Sequence, residues 1–63
     1  MFKIFVLVPD VPPWNWKVKE TEVVGSKSDA KTSVRRLRRK YRELKSFMVD
    51  MYPANAVPAY IPH

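Results

Sequence analysis

The sequence has no cysteine, one glycine and one histidine. Without cysteine, no disulfide staples the fold and no thiolate holds a metal. The single glycine, Gly25, excludes a glycine-rich loop that would cradle a phosphate on successive backbone amides. The one histidine is His63, and an imidazole-based transition-metal site needs more ligands than that, so no cofactor is expected. Ser and Thr residues lack a partner base that would activate them as nucleophiles, and the expectation is a protein that is not an enzyme. Long apolar runs are also missing. The longest, Ile4 to Val8, falls far short of the ~20 residues a bilayer requires. The opening MFKIFVLVPD has a short apolar stretch, one Lys and no small-residue cleavage site, which argues against a signal peptide and for a cytoplasmic protein. Acids are scarce as well, six against twelve Lys and Arg, giving a net charge of +6. That balance favours anionic partners.

What remains is enough for one small domain over residues 1–63. A chain of this size buries only about 60% of the surface its unfolded form exposes, so a small core must suffice. The expected fold is α+β: a small antiparallel sheet of two strands, or three, packed against one long C-terminal amphipathic helix. FKIFVLV, residues 2–8, is rich in β-branched and aromatic residues and reads as the first strand. Phe2, Ile4, Val6 and Val8 share one face, and Phe5 and Leu7 lie on the other. A strand apolar on both faces is covered on both sides or joined to a partner, and a homodimer through residues 2–8 would achieve the second. Residues 9–15 form a Pro-rich connector. Residues 16–24, WKVKETEVV, alternate as a second strand whose pattern breaks near Val23-Val24, where a bulge or the strand end would fit. Glu20 and Glu22 share a face there and suit partners such as Lys17, Lys19 or a basic helix. Ser28 or Asp29 would cap a helix over residues 29–52, stopped by Pro53. The tail, residues 53–63, would cover apolar surface with Val57, Tyr60 and Ile61, and residues 56–61 could form a third, edge strand.

Val34, Leu37, Tyr41, Leu44, Met48 and Met51 follow spacings of 3, 4, 3, 4 and 3, one narrow helical stripe. As a coiled-coil seam it would set Lys40 against Lys45 across a parallel dimer, a repulsion that favours packing on the strands instead. A membrane-surface role would strip that stripe from the strands and leave them uncovered.

The strongest functional pattern is VRRLRRKYREL, residues 34–44. On a continuous helix, Lys31, Arg35, Arg38, Arg42 and Lys45 gather in one arc with Arg39 at its edge, while Arg36 and Lys40 flank the stripe on the other side. Only Glu43 interrupts the cluster, unlike a mixed solvated face. Guanidinium forks match phosphate oxygens, and a row of cations gains by releasing the counterions condensed on a phosphate backbone. The expected function is nucleic-acid binding, DNA or RNA, through Lys31, Arg35, Arg38, Arg39, Arg42 and Lys45, with Lys27 extending the track. Trp14 and Lys17, in the run WNWKVK, would stack on a base and meet the backbone, or anchor an interface. Trp16 reads as core. The alternative is a protein-binding module, an inhibitor or adaptor, docking an acidic or apolar partner through the same helix and Trp14.

Gly25-Ser26-Lys27-Ser28-Asp29-Ala30-Lys31 resembles the strand-to-helix junction of double-stranded RNA-binding domains, in which a G-x-K-K-x-A-K run opens the final helix. The resemblance implies phosphate contacts at Lys27 and Lys31. It covers seven residues, Ser28 stands where the motif has its second lysine, and upstream there is no room for that family's first helix and third strand.

Overall fold

The computed structural model describes residues 1–10, 15–59 and 61. The elements run β1 (Phe2–Pro9), β2 (Trp16–Val24), α1 (Lys27–Lys40) and β3 (Met48–Pro53). They form a three-stranded antiparallel sheet of order β2-β1-β3 with one helix. β2 and β3 are both antiparallel to β1 and therefore parallel to each other, so α1 carries the chain across β1 in a split β-α-β crossover.

β1 is apolar on both faces because both are covered. On one side Ile4 and Val6 pack with Ala30 and Leu37 of α1 and Val49 of β3. On the other, Phe5 and Leu7 pack with Ile61, joined by the partly buried Trp16, Val18, Tyr52 and Val57. The tail does cover apolar surface, through Val57 and Ile61; Tyr60 lies outside the described residues. The homodimer through residues 2–8 is overturned, since β1 is the central strand and β2 and β3 already occupy both its edges.

The C-terminal helix over residues 29–52 is also corrected. α1 is mid-chain and ends at Lys40, with Tyr41 as its C-cap, and residues 48–53 are a strand. Length explains the difference. A helix of about 24 residues would run about 36 Å, against about 26 Å for an eight-residue strand, leaving its last turns with nothing to cover. Phe47-Met48-Val49-Asp50-Met51-Tyr52 is β-branched and aromatic enough to pair instead with the open edge of β1. The third strand therefore lies at Met48–Pro53 and not at residues 56–61. Of the apolar stripe, Val34, Leu37, Tyr41 and Met51 reach the core, the last from β3, whereas Leu44 and Met48 stay about 40% exposed. The N-cap is Ser26, two residues earlier than Ser28; its hydroxyl accepts from the Asp29 amide at 3.1 Å, and Asp29 sits in the first turn.

The break in the pattern at Val23-Val24 is the end of β2, and the β-bulge lies at Lys19. The β1–β2 register steps from Val6–Glu20 to Leu7–Val18 and leaves Lys19 as the extra residue. This step divides an otherwise alternating strand. Trp16 and Val18 join the cluster under the tail, while Glu20, Glu22 and Val24 turn to the helix side.

Candidate nucleic-acid interface

The bulge sets up the electrostatics of α1. Glu22 accepts a charge-assisted hydrogen bond from Arg36. Glu20 accepts from Lys40 Nζ at 3.0 Å and from the Tyr41 hydroxyl at 3.0 Å, and the Lys40 ammonium also lies 5.2 Å from the Tyr41 ring centroid. The Lys40 hydrogen bond, then that of Tyr41, holds the Glu20 carboxyl below its ordinary pKa. The same bond raises the pKa of Lys40. Arg36 and Lys40 are thus the two helix cations tied to the sheet, and both were placed by the sequence on the flank away from the main arc.

The other cations divide into two groups. Lys31, Arg35 and Arg38 line a cleft of about 360 Å3 between α1 and β3, whose apolar lining is Val34, Val49 and Met51. The cleft runs on past Arg38 to Phe47 and Met48. Asp50 also borders it, but its carboxylate accepts from the Tyr52 hydroxyl at 3.4 Å, on the sheet face opposite the helix. Arg39 stands beside Arg35 and Arg36 on the outer surface of the helix. Among the described residues, Lys31, Arg35, Arg38, Arg39, Arg42 and Lys45 form no ion pair.

The single arc is not kept to its end. Because α1 stops at Lys40, Arg42 and Lys45 sit in the exposed link before β3. Lys45 instead joins Lys17 and Lys19 around a separate cleft of about 430 Å3, lined by Val8, Pro9 and Leu44. Lys17 is therefore near Lys45 and not near Arg35. Trp14 lies outside the described residues. Lys19 was missing from the sequence-based site, although its alternation with Lys17 was the available signal. Lys27, at the first position of α1, is exposed.

Arg38, Arg39 and Lys40 fill the last turn of α1, where cations also favour the negative end of the helix dipole. That role accounts for some of the cations but not for Lys31 and Arg35, two and one turns earlier. Among the described residues, no three His, Asp or Glu side chains converge as metal ligands, and no helix is long and apolar enough to cross a membrane. The chain matches no protein-family model, no curated protein and no solved structure.

Proposed function

We propose that the protein binds nucleic acid, with Arg35, Arg38 and Arg39 holding phosphates and Lys31 and Arg42 extending the contact. One observation supports this above the rest: the segregation of charge on α1. The β2 carboxylates neutralise Arg36 and Lys40, while Lys31, Arg35, Arg38 and Arg39 keep no acidic partner among the described residues. Unpaired, exposed guanidinium groups repel one another in water and gain most from a polyanion that bridges them. The Lys17, Lys19 and Lys45 cleft offers a second place for a phosphate. The role is non-enzymatic, and Trp14 remains a candidate stacking residue.

Fluorescence anisotropy of labelled single- and double-stranded oligonucleotides, at low and physiological salt, tests the reading. Binding should weaken with a log–log slope of about −0.9 per phosphate neutralised on a duplex, or about −0.7 on a single strand. The variant R35A/R38A/R39A should lose most of it. No binding at low salt, or equal binding by the variant, would overturn the proposal.

A further inference from the structure

Because β1 is paired on both sides, the sheet has two outer edges, and they are built differently. β2 carries Lys17, Lys19, Glu20 and Glu22 and is broken by the bulge at Lys19. Charges and a bulge are the usual means of keeping a further strand off an edge. β3 pairs with β1 over six residues without a register shift, and Asp50 is its single charged residue. Its outer edge borders the cleft that holds Lys31, Arg35 and Arg38.

The ladder shows which backbone groups of β3 face outward. The Ala54 N–H donates to the Met1 carbonyl at 2.9 Å, so Ala54 faces β1. Alternation in an antiparallel pair then turns Tyr52, Asp50 and Met48 toward β1, and Pro53, Met51 and Val49 outward. Proline has no N–H, so the outer edge presents the amides of Val49 and Met51 and the carbonyls of Val49, Met51 and Pro53. The side chains of Val49 and Met51 point to the helix side, where the cations lie.

A second copy of β3 is a poor occupant. Antiparallel self-pairing that used both outward amides would set Val49 against Met51 of the other copy. Asp50 would then face Asp50 at the close spacing of about 4.5 Å, where like charges repel. It would also gather both sets of Lys31, Arg35 and Arg38 along one side of the seam. The charge of the cleft calls for the opposite sign.

We infer that the outer edge of β3 accepts an extended acidic segment of a protein partner as a fourth strand. Its backbone bonds the Val49 and Met51 amides, and its alternate side chains, carboxylates, meet Lys31, Arg35 and Arg38. Strand addition of this kind draws affinity from main-chain hydrogen bonds and specificity from alternate side chains. The site goes beyond the nucleic-acid reading: it shares three cations with it but depends on two backbone amides that phosphate binding does not require.

The test is amide hydrogen exchange by NMR on the full chain, with a heptapeptide alternating glutamate and threonine at millimolar concentration. Pairing should slow exchange at Val49 and Met51 by about tenfold or more, since both amides point away from β1 and pair with no strand among the described residues. The β2 amides should not respond, and a lysine–threonine peptide should have no effect. The chain is short enough for chemical synthesis, so a single N-methyl group at the Met51 amide can remove the donor while the side chain stays. With the fold confirmed by circular dichroism, that variant should lose the peptide and keep any oligonucleotide binding. Unchanged exchange at Val49 and Met51, protection at β2 instead, or full peptide binding by the N-methyl chain would overturn the inference. Oligonucleotide binding without peptide binding would refute this site and leave the phosphate-binding reading standing.

Discussion

Replacing Ile61 by alanine should remove a large fraction of this protein's stability, although Ile61 belongs to no helix or strand. Its side chain is 1% exposed and covers Phe5 and Leu7 on the sheet face opposite α1. The substitution deletes three buried carbons, about 2.4 kcal/mol at about 0.8 kcal/mol per methylene. The cavity left behind adds to that, and measured Ile-to-Ala losses run about 2–5 kcal/mol. We take about 3 kcal/mol. A chain of 63 residues has a total stability of about 3–9 kcal/mol at typical values per residue, so the change removes from a third to all of it. Urea unfolding followed by far-UV circular dichroism measures the loss, and V23A, at a half-exposed strand position, is the control expected within about 0.5 kcal/mol of the parent. If I61A is as stable as V23A, the tail is not part of the core and the two-sided burial of β1 is wrong.

S26A removes the hydroxyl that accepts from the Asp29 amide and should cost about 1 kcal/mol in the same unfolding assay. Glu20 has its pKa lowered in the folded state, so its contribution is full above the ordinary value of about 4.5 and is lost as pH falls through the lowered value; E20Q should flatten that acid limb of the stability profile. E22Q releases Arg36 and should steepen the salt dependence of oligonucleotide binding by about 0.9 on a duplex if Arg36 then takes up a phosphate. The neutral exchange E22Q/R36Q should leave the slope unchanged, and a drop would show that Arg36 contacts the ligand in the parent as well.

Much of the candidate site was legible because charge is a property of residues before it is one of folds. The excess of arginine over residues 35–42, the placement of Arg36 and Lys40 on a separate flank, and the suitability of Glu20 and Glu22 as partners for a basic helix all follow from identity and spacing. The grouping of Lys45 with Lys17 and Lys19 was not legible, because it depends on where the helix stops. Nor was the separation of Trp16 and Val18 from Glu20 and Glu22 onto opposite faces, because an unbroken alternation of residues conceals a bulge.

By itself, the sequence determined that residues 2–8 are a strand apolar on both faces, that residues 16–24 are a second strand, and that a helix follows Gly25. These are local matters of β-branched content, alternation and helix-start chemistry. Only the tertiary structure decided the fate of residues 41–53. That segment satisfies two patterns at once, since Leu44, Met48 and Met51 keep helical spacing while Val49 and Met51 alternate. What separates them is not local. β1 needs a partner on its second edge, whose N–H and C=O groups would otherwise border the core unpaired, and a helix continued beyond Lys40 would outrun the sheet it covers. The chain therefore leaves the helix at Tyr41 and returns as β3.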